Sequence, residues 1–296
     1  YYYVYNKMSR AQLNYSLRRN KTATRGSGAT NQLRDAAAEK LKGTEAGLKP
    51  HQPMSYATDV AVITGVGPGT GQAIAAKFAE MGWKTCLLAR NQERVDKLAK
   101  ELTDKGLEAT GYACDVADEN QVESVIGKIR RDYGAPSVLV HNAVRADGAG
   151  KNIMEWKLSD LSNNFEVNML GLNRLIQMLG PDMIKNKSGT IICTGNTSAH
   201  RGKAWFGSFA STKAGQRILM ESAARHMGPL GVHVAYVTID AAIAGTPPAN
   251  SALKRGATSD YFIQPSAIAH ETYHLVEQDR SSWTFDMWIR PFGETW

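Results

Sequence analysis

The stretch Thr64-Gly65-Val66-Gly67-Pro68-Gly69-Thr70-Gly71 concentrates the chemistry of this chain. Glycine lets a backbone turn tightly and approach a ligand closely, and the free N–H groups at a helix start attract an anion. In residue type the stretch is a phosphate cradle, if a strand enters it and a helix leaves it. Two further side chains suit the rest of a nucleotide. Arg90 follows the apolar run Leu87-Leu88-Ala89, and no acid appears until Glu93. A carboxylate there would repel a 2′-phosphate, whereas a guanidinium can hold one with two parallel hydrogen bonds. The other reading of Arg90 is a solvated arginine opening a helix. Asp115, after Cys114, suits an adenine amino group, the cap of the following helix, or both.

The elements needed to position these groups are legible. Val60 to Ile63 is a short β-branched and apolar run, long enough for a buried strand. From Gln72 the pattern turns helical, with Ile74, Ala75, Phe78 and Ala79 on one face. Further strands are expected at 84–89, 109–114, 137–141, 190–194, 232–239 and 284–289. Helices are expected near 70–81, 92–103, 119–132, 159–186, 208–227 and 265–277. Strands apolar throughout, alternating with helices, predict a Rossmann-type doubly wound parallel sheet of about seven strands in an α/β fold. Ligands in such sheets sit at the carboxyl ends of the strands.

The chain has 296 residues with 43% hydrophobic content, enough for a single core domain over 58–296 and an N-terminal extension over 1–57. No apolar run reaches the ~18 residues of a membrane span, so a soluble protein is expected. Cys86, Cys114 and Cys193 are odd in number and lack metal-ligand spacing, which predicts buried reduced thiols and no metal site. The net charge of +7 is confined to residues 1–57, which hold ten basic and three acidic side chains. The remainder is neutral, so the high pI does not argue for nucleic-acid binding.

The extension is rich in tyrosine (Tyr1, Tyr2, Tyr3, Tyr5, Tyr15 and Tyr56) and poor in large aliphatic residues. A short helix is expected over 31–42, flanked by linkers. Its acid-poor, Arg- and Ser-containing start resembles the remnant of an organellar targeting segment, mitochondrial in preference to plastid. A solvated tail is the plain alternative. Tyr and Arg also suit an arm anchored on a protein partner or larger complex.

From Val60 to the C-terminus the chain resembles the short-chain dehydrogenase/reductase family. Thr64-Gly65, Gly69 and Gly71 match its TGxxxGxG signature, and Asp115 matches its adenine-site aspartate. Asn142-Ala143 match the middle of its NNAG motif, with His141 and Val144 at the flanking positions. Asn168 matches the helix asparagine of its catalytic tetrad, which in the family helps hold a relay water. Lys213 matches the lysine of its Tyr-xxx-Lys pair. The resemblance implies an NADP(H) site, favoured over NAD(H) by Arg90, built from Thr64, Gly65, Gly69, Thr70, Gly71, Arg90, Asp115, Asn142, Ala143, Lys213 and Thr246. It also implies homo-oligomers formed through the helices near 159–186 and 208–227, and a substrate lid over 244–264.

Two positions depart from the family. Its tyrosine is Phe209 here, and its serine, thirteen residues earlier, is Asn196. Carbonyl reduction needs a proton at the developing alkoxide, and a phenyl ring has none to give. Ser198, Thr197, His200 and His141 are candidate substitutes, Ser198 or Thr197 also as carbonyl polarisers. After the sixth strand Ile239-Asp240 replaces the family's Pro-Gly, and Thr246 lies one residue beyond the usual nicotinamide contact. Phe209, Ile239-Asp240 and the ending around Trp283 and Arg290-Pro291-Phe292 resemble a divergent branch of the family. Three functions follow: an NADP(H)-binding accessory or scaffold subunit of an organellar assembly, an oxidoreductase with a non-Tyr proton donor, or dehydrogenation or isomerisation chemistry needing no tyrosine.

Overall fold

Strand and helix alternate from the first apolar run onward. β1 (Val60–Thr64), α1 (Thr70–Glu80), β2 (Lys84–Ala89), α2 (Gln92–Thr103), β3 (Ala109–Ala113), α3 (Glu119–Tyr133) and β4 (Val138–His141) follow in turn. α4 (Leu158–Phe165) runs through a π-helical turn, Glu166–Leu170, into α5 (Gly171–Asn186). Then come β5 (Gly189–Asn196), α6 (Gly207–Met227), β6 (Val232–Ile239), β7 (Ala242–Ile243), α7 (Pro247–Lys254), β8 (Phe262–Ile263), α8 (Pro265–Glu277) and β9 (Asp286–Ile289). This is a computed structural model, and it describes residues 53–294. The helix expected over 31–42 and nearly all of the basic extension lie outside those residues.

Seven strands form one sheet in the order β3-β2-β1-β4-β5-β6-β9, every neighbouring pair parallel. The order reverses between β1 and β4, and a crevice opens at such a switch point beyond the strands' carboxyl ends. Both faces of the sheet are covered, which explains why its central strands read as unbroken apolar runs. Ala61, Ile63, Val138, Val140, Ile192, Ala235 and Val237 pack toward α1, α2 and α8. Val60, Val62, Leu139, Ile191, Cys193, Val234 and Tyr236 pack toward α3, α5 and α6. The three cysteines are buried free thiols. Among the described residues no helix is long and apolar enough to cross a membrane.

Four features depart from the sequence pattern. The single helix expected over 159–186 is broken by the π turn at Asn168. That buried side chain bonds away from its own helix, to Arg145 and Thr212, and a wide turn accommodates the diversion. The segment over 244–264 is ordered by α7 and by a two-stranded sheet of β7 and β8, held on a small cluster of Ala249, Ala252 and Phe262. Asp118, not Asp115, caps α3 by accepting from Gln121 N–H. Tyr56, grouped by composition with the extension, packs its ring on Trp83 at 5.0 Å and donates its hydroxyl to the Val276 carbonyl.

The C-terminal residues that set this chain apart serve to attach β9. Trp283 stacks on His233 with ring centroids 5.0 Å apart, and the Arg280 guanidinium covers Trp283. Arg290 reaches Asp240 at 3.1 Å, tying the residue after β9 to the residue after β6. Asp240 thus has a structural partner where the family resemblance expects the glycine of Pro-Gly.

Candidate functional site

A cleft of about 850 Å³ lies at the carboxyl ends of β1, β4, β5 and β6. Its volume falls in the ~300–1,000 Å³ range of ligand and cofactor sites. Its walls run from Arg90, Asn91 and Arg94 at one end, past Gly65, Gly67, Thr70 and Gly71, to Lys213, Asn196, Ile243 and Thr246 at the other.

The turn after β1 has the open geometry an anion needs. Gly65 is in the left-handed region at φ +68°, and a Cβ there would lie 2.5 Å from the Ala143 backbone. α1 begins with no side-chain cap and no acid in its first turn, so neither of these neutralises the positive end of its dipole. Gly71 is set by close approach: a Cβ there would lie 2.4 Å from the Gly65 carbonyl and 3.0 Å from Asn142 Nδ2. Gly71→Ala is therefore expected to destabilise the fold by about 1–3 kcal/mol and to abolish nucleotide binding. Thermal unfolding and a cofactor titration check this, and unchanged binding would refute the cradle.

Asn142 forms the floor. Its Nδ2 donates to the Gly65 carbonyl at 3.0 Å, and its Oδ1 accepts from Thr194 Oγ1 at 2.9 Å. Thr64 Oγ1 accepts from the Ala143 N–H at 3.4 Å and meets His141 Nδ1 at 3.2 Å. Asn142 and Ala143, the pair after β4 that matches the NNAG pattern, thus join the ends of β1, β4 and β5.

At the first end, Arg90 and Arg94 both face the cleft, Arg94 3.8 Å from where a Gly67 Cβ would stand. Neither has a carboxylate partner among the described residues. Arg94 was not singled out in the sequence. It is placed there because Asn91 caps α2 by accepting from its N–H, so the first helical turn projects over the glycine loop. Asp115 lines the cleft, with Oδ1 accepting from Ala117 N–H at 3.0 Å, which leaves its other oxygen for a ligand.

At the far end sits Lys213, 2% exposed on α6. Its ammonium donates to the Thr194 carbonyl at 3.2 Å and to Gln216 Oε1. Burial holds it below the usual lysine range, with the Cys193 thiol opposing. Phe209 is buried one turn earlier on the same helix and does not line the cleft. Asn196 does line it, with its Oδ1 accepting from Ser198 N–H at 3.0 Å. Asn168 lies behind, within the π turn.

The proposed substitute donors are not gathered at this end. Ser198 and Thr197 sit in a 3₁₀ turn that does not line the cleft. His200 bonds Thr238 Oγ1 at 3.0 Å and lies on the Trp288 ring, facing β6 and β9. His141 is fully buried; burial, then the Lys213 charge, pushes its pKa down to about 3, so it stays neutral. Thr194 and Thr246 do line the cleft, but their hydroxyls donate to Asn142 and to the Ile243 carbonyl.

An open helix start, a glycine cradle, two unpaired guanidiniums and a buried lysine fit a phosphorylated dinucleotide. Fold and site together define an α/β protein of Rossmann type whose cleft fits a dinucleotide. Comparison with known proteins agrees: a model of the short chain dehydrogenase family matches residues 59–250. The chain belongs to that family. It is 29% identical over 179 residues to the 3-oxoacyl-[acyl-carrier-protein] reductase FabG of Staphylococcus aureus, covering 60% of this chain and 72% of that one. It is 32% identical over 179 residues to an uncharacterized oxidoreductase of Thermotoga maritima, covering 60% and 69%. A metagenomic short-chain oxidoreductase solved in complex with NADP superposes with a TM-score of 0.68 at 26% identity, covering 79% of this chain and 97% of that chain.

Proposed function

We propose that this protein binds NADP(H) and serves as an accessory or scaffold subunit of an organellar, mitochondrial assembly, with little ordinary ketoreductase activity. Thr64, Gly65, Gly69, Thr70 and Gly71 would hold the pyrophosphate, Arg90 the 2′-phosphate and Asp115 the adenine. Asn142, Ala143 and Thr246 would line the nicotinamide end, and Lys213 would hold the nicotinamide ribose. Bound NADP(H) would supply the means of hydride transfer. One observation carries the reading: at the Lys213 end, the cleft-lining residues offer no phenol, imidazole or carboxyl group, and both threonine hydroxyls are committed to protein acceptors. General acid help is typically worth 10²–10⁴-fold, so its loss leaves binding without efficient turnover.

A second reading has its own support. The Lys213 ammonium is itself an acid, faces the cleft and is shifted toward neutrality by burial. An oxidoreductase using this non-Tyr donor would turn over without Phe209 taking part. Dehydrogenation or isomerisation chemistry that uses the cofactor without a tyrosine is the remaining form of an active protein.

Incubation with NADPH and a panel of ketones, 3-oxoacyl thioesters and quinones separates these readings. The scaffold reading expects NADPH binding and no substrate-dependent oxidation; steady turnover on any carbonyl overturns it. Sizing of the full chain from organelle extracts tests the partner. A high-mass species lost on reversing the charges of Arg18, Arg19 and Lys21 is expected, and a free homodimer or homotetramer would refute the assembly.

A further inference from the structure

Gln216 lies on α6, three residues beyond Lys213, and is fully buried. An amide has an acceptor at one end and donors at the other, and here each end serves a different element. Oε1 accepts from Lys213 Nζ, and Nε2 donates to the Asn168 carbonyl in the π turn. Asn168 is fixed in its turn. Its Oδ1 accepts from Arg145 N–H at 2.9 Å, and its Nδ2 donates to the Arg145 carbonyl and to Thr212 Oγ1, both at 2.9 Å. An unbroken chain of bonds therefore runs from the loop after β4, through the π turn, to the lysine ammonium.

The geometry points to Gln216 as the residue that aims the Lys213 ammonium into the dinucleotide cleft, a positioning role that rests on the dinucleotide reading above. An ammonium has three donors. The Thr194 carbonyl and Gln216 Oε1 take two of them, and Lys213 lines the cleft, so the third is left for a ligand hydroxyl. A leucine at 216 would leave the buried charge one acceptor short, and an unpartnered buried charge is costly. A glutamate would pair with the ammonium but has no donor for the Asn168 carbonyl. It would also place a negative charge beside a ligand that carries phosphates. The amide alone meets both neighbours without adding charge.

The titratable groups facing Lys213 are few. From β4 comes His141, held neutral by burial with a pKa of about 3. From β5 comes Cys193, whose thiol burial pushes up to about 12, with the Lys213 charge opposing. Arg145, across the cleft, is paired with Asp147 at 2.8 Å. Lys213, held below the usual lysine range by burial, is the charged group at this end that an alkaline titration follows. Affinity that depends on the ammonium is present below the lysine's pKa and lost as pH rises through it. Removing an acceptor moves that loss to lower pH, and adding a carboxylate moves it to higher pH.

NADPH titrations from pH 7 to 10 on the wild type, Gln216→Leu and Gln216→Glu test this. Gln216→Leu is expected to weaken binding about 10- to 100-fold at pH 7.5 and to bring the alkaline loss to lower pH. Gln216→Glu is expected to stay within about tenfold of the wild type and to shift the loss the other way. A purely structural role would move both variants together, in step with thermal stability, and that result overturns the proposal. A Leu profile identical to the wild type also overturns it. If Gln216→Leu does not fold, the direction of the Gln216→Glu shift decides alone. Failure of the wild type to bind NADPH would overturn the dinucleotide reading itself; normal wild-type binding with unmoved variants overturns the Gln216 role only.

Discussion

Replacing Arg90 and Arg94 together by aspartate is expected to weaken NADPH binding about 10²–10³-fold and to leave NADH binding within a few-fold of its starting value. The two cofactors differ by one 2′-phosphate, and these guanidiniums are the cations at the end of the cleft where it would lie. A hydrogen bond to a charged group contributes about 1.5–3 kcal/mol, and two are lost. Both side chains are exposed, so solvent screening trims the sum toward the lower figure. Single alanine variants are expected to cost about tenfold each. Fluorescence titration with both cofactors measures the effect. An equal loss for NADPH and NADH would mean that the arginines support the loop and do not read the phosphate. No loss for either would return Arg90 to its plain reading as a solvated helix-opening residue.

Phe209→Tyr combined with Asn196→Ser is expected to raise NADPH-dependent reduction of small ketones by 10²–10⁴-fold over the wild type, the usual worth of a positioned general acid. Phe209 precedes Lys213 by one helical turn, and residues four apart share a face of a helix. A phenol at 209 would therefore stand on the lysine side of α6, where a buried ammonium lowers the pKa of a neighbouring hydroxyl. Asn196 lines the cleft together with Lys213, so a serine there would face the space that the lysine faces. Stopped-flow oxidation of NADPH, with cofactor affinity measured in parallel, gives the result. Retained affinity with no gain in turnover would show that the protein lacks a place for a carbonyl and not only an acid. Activity already high in the unaltered chain would assign the proton to Lys213.

The sheet was legible because its strands are apolar on both faces, and that signal needs no knowledge of neighbours. The strands at 60–64, 84–89 and 232–239 stand where their β-branched runs place them. The π turn was not legible. Asn168 within it bonds Thr212, forty-four positions away, and helical periodicity carries no trace of that partner. The order in 244–264 was missed because β7 and β8 are two residues each, too short for any periodic pattern. In the site, the glycine turn, Asn142 and Lys213 could be found by type and spacing. Arg94 could have been found too: Asn91 is a helix cap in sequence, and the third residue after a cap lies in the first turn, beside whatever precedes the helix. Gln216 could not. A buried glutamine and an exposed one look alike until the fold supplies the Asn168 carbonyl.

Asn142 has a consequence for how the protein can be divided. Its two side-chain bonds reach back 77 positions to Gly65 and forward 52 to Thr194. The floor of the cleft is therefore a product of contacts remote in sequence, which a chain makes only after its loops have closed. A fragment ending before β4 would contain the whole glycine signature and the entire β1–α1 unit, yet no floor beneath them. The motif is local, but the cleft beneath it belongs to the completed sheet.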